Sequence, residues 1–248
     1  MPRASAQVSG AEPPESLHSI SNPIALPISL NEDLLAQGVE SLTQRDSDLA
    51  AVVERWGSPP LWPREPGFPT LVYLILEQQV SLASAKAAYE RLLARINAPL
   101  IPERLLALNA RTMKKIGFSR QKTGYCRLLA ASVLKNELDL EAIAGMADES
   151  ARAELTRIKG IGPWTADVYL LMALKRPDVW PVGDLALQKA ARRIKRLRKH
   201  PSPARLEKIG EAWRPWRAVA ARLLWHDYLS RAAEARRSKN GAGDQQEE

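Results

Sequence analysis

Leu155-Thr156-Arg157-Ile158-Lys159-Gly160-Ile161-Gly162-Pro163-Trp164-Thr165-Ala166 is the stretch from which the rest of this chain is read. Residues 149–157 carry a helical pattern, and a second helix is predicted over 163–174. Proline suits the first helical position, because the N–H it lacks would have no partner inside the helix. Between the two helices, Gly160 and Gly162 admit positive φ and let another molecule's backbone come close. The free amides of such a turn, backed by the positive end of a helix dipole, make a place for a phosphate. A Gly-x-Gly turn alone reads equally as a tight connection with Ile158 and Ile161 tucked into a core.

Outward from this turn the chain reads as helices punctuated by Pro and Gly. They are expected over 41–56, 70–78, 81–96 (with Ser81 as N-cap), 102–108, 112–116, 122–137, 206–213 and 215–231, with a Pro-rich loop at 58–69. Leu187, Ala190, Ala191, Ile194 and Leu197 form one more helical stripe. No period-two alternation bounded by hairpin signals occurs, so the fold class is all-α. Residues 1–27, rich in Ser, Pro and Ala, read as a flexible arm, 28–235 as a helical core, and 236–248 as a polar, disordered tail.

The 248 residues are 45% hydrophobic and 26% charged, which supports a packed core and excludes wholesale disorder. No apolar run approaches the ~18 residues of a membrane span, and Met1 to Glu15 lacks the apolar stretch of a secretory signal. The lone Cys126 excludes a disulfide framework, a Cys-rich zinc site and a four-cysteine iron–sulfur cluster. The net charge of +8 is informative mainly by its placement. Lys189, Arg192, Arg193, Lys195, Arg196, Arg198, Lys199 and Arg205 fall in a run without one acid, and Arg111, Lys114, Lys115, Arg120, Lys122 and Arg127 form a looser cluster. Two such patches at helix–turn junctions suit a phosphate backbone.

Four further segments join the Gly160–Gly162 turn. Pro181-Val182-Gly183-Asp184-Leu185 follows it, and Leu74-Ile75-Leu76-Glu77-Gln78-Gln79-Val80-Ser81 and Ile116-Gly117-Phe118-Ser119-Arg120-Gln121-Lys122 precede it. Trp213-Arg214-Pro215-Trp216-Arg217 and Leu224-Trp225-His226-Asp227-Tyr228 close the series. In this order, over roughly Pro66 to Tyr228, they resemble the helix-hairpin-helix DNA glycosylase superfamily, and within it the 3-methyladenine DNA glycosylase II branch. The resemblance implies a two-lobed helical fold with its cleft between the lobes. It also implies hydrolysis of the N-glycosidic bond to an alkylated purine of the 3-methyladenine or 7-methylguanine class in duplex DNA, during base excision repair.

Breaking that bond develops positive charge on the sugar, which a fixed carboxylate stabilises. Asp184 matches the family's catalytic aspartate, and it also reads as the N-cap of the following helix. Asp167, Asp178 and Asp227 are weaker candidates with structural roles. Where strand-cleaving members carry a nucleophilic lysine, Trp164 stands, so hydrolysis without lyase chemistry is implied; Lys159 aligns with the backbone-facing end of the hairpin. The base must leave the stack to react, and Trp164, Tyr169 and Trp225, with Trp62 and Tyr73, are the candidate pocket aromatics, since aromatic faces attract cationic bases. Gln78 and Phe118-Ser119-Arg120 match positions that fill the gap left by the flipped base. Lys122, Lys159, Gly160, Gly162 and Thr165 are the remaining candidate DNA contacts. The resemblance implies a monomer on damaged double-stranded DNA, in the nucleoid region of the cytoplasm of a bacterium or the nucleus of a eukaryote. It implies no cofactor, apart from a monovalent cation that hairpin carbonyls hold when DNA is bound. The residues before Ser41 are too few and too weakly patterned to build the β-rich N-terminal domain of some members, so none is expected there. A same-fold enzyme for deaminated or mismatched bases, and a damaged-DNA binder without catalysis, are the alternatives.

Overall fold

The computed structural model describes residues 27–97 and 99–243, the last five by backbone alone. Thus 1–26 of the expected arm and 244–248 of the expected tail lie outside the described residues. The described residues form helices and no strand: α1 (Glu32–Arg45), α2 (Ser47–Trp56), α3 (Phe68–Glu77), α4 (Leu82–Ile96), α5 (Pro102–Ala107), α6 (Ala110–Ile116), α7 (Arg120–Leu134), α8 (Leu140–Gly145), α9 (Asp148–Thr156), α10 (Pro163–Met172), α11 (Leu185–Ile194), α12 (Pro203–Glu211) and α13 (Arg217–Gly243). None is long and apolar enough to cross a membrane.

Local chemistry explains the boundaries, including those the sequence reading misplaced. The single helix expected over 41–56 is two helices meeting at Asp46. Its backbone N–H ends α1 on Leu42 O, while its carboxylate accepts the Asp48 and Leu49 amides that open α2. Ser81, Ser119 and Asp184 cap α4, α7 and α11 through their side chains, and Pro163 stands first in α10. α8 was not anticipated; Asp139 caps its six residues. The tail expected from 236 is corrected in its first part, because α13 runs on to Gly243.

The helices pack in two groups. One joins α1, α2, α11, α12 and α13, and small residues let it close tightly: a Cβ on Gly38 would lie 2.8 Å from Val219 Cγ2. The other comprises α3 to α10 around Leu71, Leu74, Ile75, Leu92, Leu105, Leu129, Leu155 and Leu171, all fully buried. Each such leucine contributes about 1.5–3 kcal/mol of apolar transfer. Arg222, wholly buried in α13, ties the groups together by donating to Leu171 O (2.9 Å), Leu61 O (3.0 Å) and Ala218 O (3.1 Å). Burial lowers its pKa to about 10, so at neutral pH it stays a cation served by carbonyls.

Candidate functional site

Asp184 lies where the two helix groups meet. Its position at the head of α11 follows from capping: Oδ1 accepts the Leu187 amide at 2.8 Å. The same oxygen accepts Trp225 Nε1 from α13 at 3.1 Å, and Oδ2 accepts Trp164 Nε1 from α10 at 2.8 Å. One carboxylate thus serves as helix cap and receives one indole N–H from each helix group. Three donors suit an ionised acceptor, and they fix both its position and its rotation. The group is 9% exposed, and its neighbour Leu185 is 58% exposed, so the carboxylate sits just beneath the surface.

The hairpin approaches the same place. α9 ends at Thr156, the chain turns through Gly160 (φ +105°), and Gly162 opens α10 with no side-chain cap. The amides that open α10 therefore have no capping side chain, as an anion site requires. Only glycine fits at 160, since a Cβ would fall 2.3 Å from Tyr125 Cγ. Lys159 is exposed at the tip and Thr165 is buried behind it. The carbonyls of Leu155, Ile158 and Gly160 each accept one N–H, and an oxygen with two lone pairs retains one for a cation.

Several expected contacts stand elsewhere. Tyr169 is not a pocket wall: it is fully buried, its hydroxyl accepts the Gly67 amide at 2.9 Å, and burial pushes its pKa up. Tyr73 packs on Tyr89 (4.7 Å between ring centroids) and lies beneath the Arg64 guanidinium (4.8 Å). Trp62 is half-buried beside His226, with centroids 6.2 Å apart, and its φ of +46° is unusual for a bulky residue. Phe118 is 3% exposed and belongs to the core, which removes it from the gap-filling turn and leaves exposed Ser119 and Arg120 there. Gln78 points inward and donates to Gly160 O (2.8 Å) and Thr165 Oγ1 (3.0 Å), which leaves Gln79 and Val80 as the exposed residues of that turn. Lys122 donates to Leu76 O at 2.6 Å, and burial lowers its pKa, so it closes the end of α3 and holds one of its three N–H donors there.

The acid-free basic run is also divided. Lys195 donates to both oxygens of Asp46 at 2.7 Å, and Arg193 pairs with buried Asp227, which also accepts from Trp56 and Arg231. Lys189, Arg192, Arg198, Lys199 and Arg205 remain exposed. Asp167 pairs with Arg152, and Asp178 with Arg214 and Arg217, in keeping with structural roles. Two clefts, one beside Arg64 and Arg176 and one beside Asp167 and Asp178, do not include Asp184.

Comparison with known proteins bears on this geometry. The profile described as "HhH-GPD superfamily base excision DNA repair protein" matches residues 72–215, more than half of the chain. DNA-3-methyladenine glycosylase 1 of Schizosaccharomyces pombe is 28% identical over 75% of this chain and 88% of its own length. YfjP of Bacillus subtilis, provisionally named a DNA-3-methyladenine glycosylase, is 27% identical over 72% of this chain, which spans 65% of that relative's length. Among solved structures, the 3-methyladenine DNA glycosylase Mag1 of S. pombe, in complex with abasic DNA, superposes with a TM-score of 0.72 at 27% identity, covering 76% of this chain and 95% of that one. A DNA-3-methyladenine glycosidase from Bacillus halodurans gives 0.66 at 31% identity, covering 79% and 91%.

Proposed function

The chain belongs to the HhH-GPD superfamily of base excision DNA repair proteins, and on that premise we propose that it is a DNA glycosylase hydrolysing the bond between deoxyribose and an alkylated purine in duplex DNA. One observation carries this reading: Asp184 at the junction of the helix groups, held 2.8 Å from the tryptophan two residues beyond the hairpin's second glycine. A phosphate bound by the Gly162–Thr165 amides puts the neighbouring sugar within reach of that junction. The carboxylate then stabilises positive charge on the sugar as the base departs, and orients the attacking water. The indoles of Trp164 and Trp225, anchored beside the carboxylate, would attract a base made cationic by alkylation. A monovalent cation on the hairpin carbonyls would stiffen the phosphate site and supplies no step of the chemistry.

Trp164 occupies the position where a lysine nucleophile would stand, so no Schiff base forms and the product is an intact abasic strand. The test is to incubate methylated DNA with the wild type and Asp184→Asn and to identify released bases by chromatography. Release of 3-methyladenine by the wild type alone is expected. No release by the wild type would refute alkylbase hydrolysis, and equal release by both would remove Asp184 from its role. Borohydride added during turnover should trap no covalent protein–DNA adduct; a trapped adduct would show a lysine nucleophile.

A further inference from the structure

The end of α3 is bound to two other parts of the molecule by side chains that the chemistry at Asp184 does not use. Gln78 leaves the helix with φ −59° and ψ 122°, and Gln79 reverses the chain at φ +57°. The result is an exposed turn, with Val80 47% and Leu82 58% exposed. Immediately behind it, the Gln78 amide spends both N–H groups on the hairpin, at Gly160 O and Thr165 Oγ1, partners 82 and 87 residues away. Because Gly160 O only accepts, the nitrogen must face it, which fixes the amide's orientation. Lys122 of α7 closes the last turn of α3 at Leu76 O, and Tyr125 of the same helix lies against Gly160. Hairpin, α3–α4 turn and α7 therefore meet at the end of α3.

We propose that Gln78 is a positioning residue that sets the spacing between the phosphate-binding hairpin and the exposed Gln79–Val80 turn, so that capture of the backbone and entry of the turn into a distorted duplex occur as one event. The proposal rests on the glycosylase reading above. The amide is required chemically: glutamate would set an oxygen against the Gly160 carbonyl, methionine has no donor, and asparagine is one methylene too short. Without the two bonds the hairpin still offers its amides to a phosphate, while the neighbouring turn no longer stands at a fixed distance from them. Binding to straight duplex, which needs backbone contacts alone, should survive; binding to a duplex with a gap in its stack should not.

Gln78→Met is the test, read by equilibrium binding to an undamaged duplex and to the same duplex carrying an abasic-site analogue. Loss of two hydrogen bonds predicts an abasic-duplex Kd weakened about 10- to 100-fold, an undamaged-duplex Kd within about 2-fold of wild type, and a parallel rise in the enzyme concentration for half-maximal single-turnover release. In the Gln78→Met background, Gln79→Ala should add no further loss, since the turn has already lost its placement. Equal weakening on both duplexes, or additive losses in the double variant, would overturn the role of Gln78. A wild type with no preference for the abasic duplex would refute the glycosylase reading, and this role with it.

Discussion

Asp184→Asn, the obvious inactivating substitution, should not be structurally neutral, and the hydrogen bonds say by how much. The carboxylate serves three donors with two oxygens: Leu187 N and Trp225 Nε1 at Oδ1, and Trp164 Nε1 at Oδ2. Asparagine brings one acceptor oxygen. Set in place of Oδ1, it keeps the helix cap, for which Asn is as good as Asp, together with the Trp225 bond. Its Nδ2 then stands where Oδ2 was, 2.8 Å from Trp164 Nε1, and two donors face each other. A desolvated N–H without a partner costs about 1–3 kcal/mol, and the variant should be destabilised by that amount despite its matching shape. In Trp164→Phe the opposing donor is gone, so Asp184→Asn added to it meets no conflict. Urea unfolding of the wild type, both single variants and the double should therefore show the double variant losing about 1–3 kcal/mol less than the sum of the singles. Costs that add within ~0.5 kcal/mol would refute the account of how the carboxylate is held. Base-release assays on Asp184→Asn belong at a temperature where its unfolding curve shows it folded.

Gly160→Ala combines positive φ with a Cβ 2.3 Å from the Tyr125 ring, and strain and overpacking of about 1–3 kcal/mol each should appear as a lower urea midpoint and weaker duplex binding. Asp46 predicts an acid-dependent stability term. Burial alone would raise its pKa, but hydrogen bonds from Lys195 and Trp213 and the Lys195 charge hold it below the usual 3.8. Its contribution is thus present above pH 3.8 and lost as the pH falls through the lower folded value, and the stability gap between wild type and Asp46→Asn should narrow over that range. Cys126, with its pKa pushed up to about 12 by burial, should ignore a thiol reagent at pH 8 and react at once in denaturant; rapid native labelling would contradict its placement.

Features encoded by neighbouring residues were legible in the sequence. The hairpin, Pro163 at the head of α10, and the caps Ser81 and Asp184 depend on residues a few positions apart, and all stand where expected. Roles set by distant partners were not. Nothing around Lys195 or Arg193 reveals Asp46 or Asp227, so the basic run read as one continuous patch suited to a phosphate backbone. Gln78 and Phe118 lie in the expected turns, yet whether a side chain enters the core or leaves it depends on packing across the molecule. Trp164 and Trp225 drew notice as aromatic surfaces, and their N–H groups as anchors for the carboxylate went unseen. A signal existed: an aspartate meeting two tryptophans at a junction invites the question of where two indole hydrogens go.

The Trp225 bond to Asp184 spans 41 residues and gives the site an order of assembly. A ribosome finishes the hairpin and the aspartate well before it adds α13, whose Trp225 supplies the third donor and whose Arg222 ties the two helix groups together. Until that helix emerges, the carboxylate has only the donors from α10 and α11, and nothing from α13 joins the helix groups. A product cut short between these positions would lack the third donor and the buried stretch of α13 from Ala218 to Leu224. On the glycosylase reading, having the last long helix complete the active site ties base removal to a chain that carries α13.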